Sequence, residues 1–128
     1  MPGERQIAVH GRPPTYNVVK KHSPHKQRDI RDAWRRACGD AIDRLGLADG
    51  DCWDRVDVVA QPLYLDRRNL PDTDGPAPAV KWLLDELVAR GHLAGDTRDQ
   101  VRSVKLLFAW VDRDLGSPRL VVLIRPAK

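Results

Sequence analysis

Three β-branched runs separated by two helical stripes set most of what this chain can fold into. Residues 56–65, 101–111 and 120–124 are rich in Val, Ile and Leu and have strand length. Ile30, Ala33, Trp34, Ala37, Cys38, Ala41, Ile42 and Leu45 recur at three- and four-residue spacing, which puts them on one helical face. Val80, Leu83, Leu84, Leu87 and Val88 do the same further on. Gly46 and Gly91 follow the two stripes where helices commonly close. The first helix is expected to start near Pro24 or His25, and the second after Asp74-Gly75-Pro76. Residues 6–10 alternate enough for a short opening strand. The order β-α-β-α-β-β predicts an α+β fold: one mixed β-sheet with two helices packed on it in two layers. Residues 101–111 are expected as one long strand, with 120–124 as its antiparallel partner across the turn-rich 112–118. Pro62 has no N–H to give, so it should put the end of its strand on an edge or at a bulge.

A chain of 128 residues suits one core, so residues 1–128 are expected to form a single domain. No apolar run approaches the ~18 residues of a membrane span, and the first residues lack the apolar stretch of a signal peptide. Two cysteines, Cys38 and Cys52, make neither a disulfide framework nor a zinc site. Cys38 falls on a helical stripe, which fits a reducing cytoplasm. The net charge of +4 hides an asymmetry. Residues 1–36 hold nine Lys and Arg against three acids, whereas the remainder holds thirteen against fifteen. Residues 11–26, with two prolines and no period, read as an exposed, flexible basic loop. A basic third beside an acidic patch suits a phosphodiester substrate, although it also suits a merely solubilising face.

The acidic patch comprises Asp72 and Asp74, then Lys81 and Asp85, then Asp96 and Asp99. Two aspartates two apart on extended chain point to the same side and can share a cation. Hard divalent ions such as Mg²⁺ take oxygen ligands, with a phosphate substrate completing the shell. An Asp just before a helix is also an ordinary N-cap, and Lys81 with Asp85 is also an ordinary (i, i+4) surface pair. Asp72-Thr73-Asp74-Gly75 starts like a calcium loop, but the bidentate Glu position falls on Leu83. Trp34 and Trp82 read as core or dimer contacts rather than base-stacking platforms. The four histidines have no metal-ligand spacing, and His22 and His25 read as phosphate contacts.

Two blocks resemble the RusA-like Holliday junction resolvases, small endodeoxyribonucleases of bacteria and their phages. The first is Gly11-Arg-Pro-Pro-Thr-Tyr-Asn17 with the basic stretch behind it. The second is Arg67-Arg-Asn-Leu-Pro-Asp72-Thr-Asp74, then Lys81-Trp-Leu-Leu-Asp85, then Gly95-Asp96 and Val101. It is similar to the family's D-x-D-N, helix, D-D and valine pattern, in which aspartates bind Mg²⁺ and a lysine assists. Three positions depart from that pattern. Gly75 stands for the asparagine, Gly95 for the first aspartate of D-D, and Pro78 where the lysine would fall. Lys81 resembles the lysine of a longer variant.

The resemblance implies a Mg²⁺-dependent, structure-selective endonuclease for Holliday junctions or similar branched DNA, with Mn²⁺ as a substitute ion and no small-molecule cofactor. Asp72, Asp74 and Asp96 would be the metal ligands, Asp99 a rival for the third, and Lys81 the catalytic helper. Arg12, Asn17, Lys20, Lys21, His22, His25, Lys26, Arg28, Arg67 and Arg68 would contact DNA. Two coordinated cuts on a two-fold-symmetric junction imply a homodimer. Two other readings fit the same residues: a non-catalytic basic DNA-binding protein, and a nuclease with another branched substrate.

Overall fold

The computed structural model describes every residue except Asn69 and Thr73. Its elements in chain order are β1 (Arg5–His10), α1 (Tyr16–Lys20), α2 (Pro24–Asp43), β2 (Val56–Tyr64), α3 (Ala77–Ala89), β3 (Val101–Leu106), β4 (Trp110–Val111) and β5 (Arg119–Pro126). The strands form one mixed sheet in the order β1-β5-β2-β3, with β4 also beside β2. β5 runs antiparallel to β1 and β2, and β3 and β4 run parallel to β2. The α+β class and the mixed sheet are those expected from the sequence.

The pairing of the last strands is not. β5 does not pair with residues 101–111 but lies between β1 and β2. Burial explains the choice. Leu120, Val122 and Ile124 are fully buried, and the register sets them beside Ile7 and Val9 on one side and Val58 and Ala60 on the other. A strand that buries every second residue this completely needs neighbours on both sides. β3 leaves most of its residues exposed and takes the edge. The long strand expected at 101–111 is also interrupted, ending at Leu106 and resuming at Trp110.

That break accounts for Pro62, which is buried in a central strand rather than on an edge. The carbonyls of Ala60 and Tyr64 accept from Leu107 and Asp112, so even-numbered residues of β2 turn their polar groups toward β3 and β4. Pro62 falls between them, where the ladder is interrupted and no N–H is required. A bulge marks the other end of β3. Val56 and Asp57 pair with Val101 and Ser103, leaving Arg102 as the extra residue. Asp57 accepts from both Arg102 and Ser103, and those hydrogen bonds, Arg102 first, hold its carboxyl below the usual range.

Residues 11–26, expected as a flexible loop, contain α1. Thr15 is buried and its Oγ1 accepts from Val18 N at 3.4 Å, capping the helix. Five residues are too few to show a period, which is why the sequence pattern missed it. Ser23 caps α2 by accepting from Lys26 N, and Pro24 occupies its first turn. α2 and α3 pack together over one sheet face, where Trp34 Nε1 donates to the Ala79 carbonyl at 3.0 Å. Trp34 is buried as expected, Trp82 packs half-buried against the same core, and Ala33 is exposed. Trp53, fully buried, donates to Gly3 O, and His92 Nδ1 lies 2.7 Å from Asp51 O. Among the described residues no helix is long and apolar enough to cross a membrane.

Burial, and secondarily the nearby Glu86, push the Cys38 thiol up to about 12. A group whose pKa rises on folding stabilises the fold below its unfolded pKa, near ~8.5, and that contribution is lost as pH climbs toward the folded value. In native protein at pH 8, a disulfide exchange reagent should therefore modify Cys52 alone, with Cys38 reacting only after denaturation. Two rapidly reacting thiols would show that α2 is not seated as described.

Candidate functional site

The segment joining β2 to α3 makes a turn just ahead of the helix. Gly75 N donates to Asp72 O at 2.9 Å and Ala77 N to Asp74 O at 3.0 Å, so both aspartates leave a turn rather than an extended strand. α3 begins at Ala77, with Pro76 in the cap position and, among the described residues, no side-chain hydrogen bond capping it, so neither aspartate serves as its N-cap. Both are exposed. Thr73 and Asn69, which belong to the second resembling block, lie outside the described residues.

Gly75 carries the geometry. A Cβ there would sit 2.7 Å from Pro71 Cβ and 3.0 Å from Asp72 O, so any side chain would push the turn apart. Its carbonyl accepts from Tyr16 N at 2.8 Å, which ties α1 to the turn. An asparagine at this position would not fit the turn as it stands. The tie brings Tyr16 and Asn17 together with Asp72, Asp74, Gly75 and Ala77 around a cavity of about 410 Å³.

On the other side of Ala77 lies a second cavity of about 470 Å³. Val80, Leu84, Val101, Val104 and Leu106 line it, with Lys81, Asp96, Thr97 and Arg98 completing the wall. Lys81 Nζ donates to Asp85 Oδ1 at 2.9 Å, the (i, i+4) pair expected of it, and also to Asp96 Oδ2. Gly95 faces Gln100 Oε1, which accepts from Thr97 Oγ1 at 2.6 Å. Asp99 is exposed, two residues ahead of β3.

The sequence suggested one point of convergence. The structure divides it in two: Asp72 and Asp74 with Asn17, and Lys81 with Asp85 and Asp96. Ala77 belongs to both walls. Among the described residues no three His, Cys, Asp or Glu side chains close on one position. The first cavity nevertheless offers two carboxylates and an amide oxygen, the donor set that Mg²⁺ takes when water and phosphate complete its shell.

No protein-family model and no curated protein matches the chain.

Most of the proposed DNA contacts surround the first cavity or the adjoining α1–α2 corner. Lys20, Lys21, His22, His25, Lys26 and Arg28 are exposed there, with His25 3.8 Å from Asp29. The Arg12 guanidinium lies over the Tyr64 ring, 4.7 Å from its centre. Burial raises the Tyr64 pKa and Arg12 partly opposes it. Arg67 is exposed beside Leu70 and Trp110. Arg68 is bound to Asp66 at 3.0 Å, and that hydrogen bond holds Asp66 below its usual range. Arg68 is therefore partly spent on its own loop.

Sequence reasoning passed over two residues. Tyr16 is 62% exposed in the wall of the first cavity, and Trp110 is 63% exposed beside Arg67. Tyr16 sits inside the first resembling block, between two prolines and Asn17. Its place there was the available signal.

Proposed function

We propose that this chain is a Mg²⁺-dependent endodeoxyribonuclease of the RusA-like kind that cuts Holliday junctions or similarly branched DNA. The observation that carries this reading is that Asn17 meets Asp72 and Asp74 in one cavity. These residues come from the two separate blocks that carry the family resemblance.

Asp72 and Asp74 would hold Mg²⁺, or Mn²⁺ in its place, with Asp96 as the third carboxylate from the adjoining cavity. The ion supplies activation of a water and neutralisation of charge at the leaving oxygen. The chain's own groups do the rest. Asn17 presents an amide next to the carboxylates, where it can donate to a phosphate oxygen and fix the phosphodiester. Lys81, one turn into α3 and paired with Asp85 and Asp96 in the adjoining cavity, would act electrostatically on a phosphate that reaches it. Arg12, Lys20, Lys21, His22, His25, Lys26, Arg28 and Arg67 hold the flanking backbone.

Replacing Lys20, Lys21 and Lys26 together with Ala should weaken DNA binding and lower the log–log salt slope by about 0.9 for each phosphate that is no longer neutralised. Affinity measured by fluorescence anisotropy across a salt series checks this, and an unchanged slope would leave the three lysines as solvated charge.

A two-fold dimer accompanies the reading. Val104, Phe108, Trp110 and Leu70 are large exposed apolar residues on the β3–β4 side of the sheet and the adjoining segment, and a second copy could cover them. A cytoplasmic setting, where thiols stay reduced and DNA is accessible, goes with it.

The test is incubation with a synthetic four-way junction and a matched linear duplex, in Mg²⁺ or in EDTA. Cutting of the junction in Mg²⁺ alone supports the proposal. Binding of both DNAs without cutting, indifferent to Mg²⁺, supports the non-catalytic alternative.

A further inference from the structure

Tyr16 is an exposed aromatic ring in the wall of the cavity that holds Asp72 and Asp74. The other tyrosine, Tyr64, is 1% exposed, so solvent exposure is not the rule for this residue type here. Trp34 and Trp53 are buried, and Trp82 packs against the core. The backbone that carries Tyr16 is firmly placed. Pro13 and Thr15 are buried, Thr15 caps α1, and Tyr16 N donates to Gly75 O. The backbone beneath the ring is therefore anchored beside the carboxylates, while the ring itself stands in solvent. Lys20 Nζ lies over one face of the ring, 5.6 Å from its centre, so a stacking base would take the opposite face or displace the ammonium toward its own phosphate.

A flat ring in this position has one obvious use in nucleic-acid binding, which is to stack on a base. In a continuous duplex both faces of each base are already covered by neighbours. Only a base released from the stack, at a branch point or a single-strand boundary, has a face to offer. We propose that Tyr16 stacks on such a base next to the phosphate held at Asp72 and Asp74, and so selects DNA with an interrupted stack over linear duplex. This rests on the nuclease reading above and adds to it the structural feature of the substrate that the site recognises.

The test compares wild type, Tyr16→Ala and Tyr16→Phe by anisotropy in Ca²⁺ buffer. The DNAs are a four-way junction and the same junction with abasic sugars flanking the branch point. Truncating an exposed side chain leaves the capped backbone and the core in place, so folding is expected to survive, and circular dichroism would verify it. Stacking on one base predicts that Tyr16→Ala loses about 5- to 150-fold in junction affinity, and that removing the bases costs wild type a similar factor. It also predicts that Tyr16→Ala is indifferent to the abasic change, and that Tyr16→Phe binds close to wild type.

Independent, multiplying losses from the two changes would overturn the inference. So would a wild type indifferent to abasic sugars, or a Tyr16→Phe as weak as Tyr16→Ala. Each of these leaves the nuclease reading standing. A wild type that binds no DNA of any kind would sink both.

Discussion

Asp72→Asn and Asp74→Asn should each lower Mg²⁺-dependent cleavage of a four-way junction by more than about a hundredfold, because loss of even an outer partner of a metal site typically costs 10–100-fold. Each change would remove a charge of the proposed metal site without removing volume. It also removes a negative charge that repels the incoming phosphate, so junction binding should hold or tighten. Both residues are exposed on a turn whose hydrogen bonds run through backbone atoms, so neither change should cost much stability. Single-turnover cleavage and anisotropy on the same preparations measure the two effects. Wild-type cleavage by either variant would remove that carboxylate from the site.

The next largest effect concerns the third carboxylate. Asp96→Asn should reduce cleavage by about 10–100-fold, whereas Asp99→Asn should change it by less than about threefold. Asp96 is held by Lys81 in the cavity that shares Ala77 with the first one, and in the proposed site it would be the third carboxylate. Asp99 is exposed in the turn before β3 and lines neither cavity. The two variants should be compared on one junction across a Mg²⁺ titration. The reverse order would assign the role to Asp99, and two fully active variants would confine the site to Asp72 and Asp74.

Much of this arrangement is legible in the residue pattern alone. The 3/4 spacing of Trp34, Cys38, Ala41 and Ile42 locates α2, and Val80, Leu83, Leu84 and Leu87 locate α3, because a helix that buries one face must repeat its apolar residues. Strand pairing is harder to read. Residues 101–111 and 120–124 are close in sequence and joined by turn residues, which suggests a hairpin. The actual partner of β5 is decided by how completely Leu120, Val122 and Ile124 must be buried, a property of the whole sheet. The apolar run through Leu106, Leu107 and Phe108 also hides a break, since Phe108 turns outward and is 77% exposed.

At the site, the motif marks Asn17, Asp72 and Asp74. It does not show that Gly75 is needed for close packing against Pro71, or that its carbonyl fastens α1 through Tyr16. Nor does it show that Lys81 binds Asp96 as well as Asp85. Those contacts depend on loops meeting in space, which residue spacing along one chain does not encode.

If the cavity bounded by Asn17, Asp72 and Asp74 is where the metal meets the DNA, calorimetric titration of Mn²⁺ will detect it without relying on turnover. Wild type and the Asp72→Asn/Asp74→Asn double variant would each be titrated alone and with an excess of four-way junction. Wild type should bind Mn²⁺ weakly alone and more tightly with the junction, since phosphate oxygens complete the ion's shell. The double variant should lose that binding in both states while still binding the junction. Equal Mn²⁺ affinity in the two proteins would place the metal elsewhere and refute the proposed site.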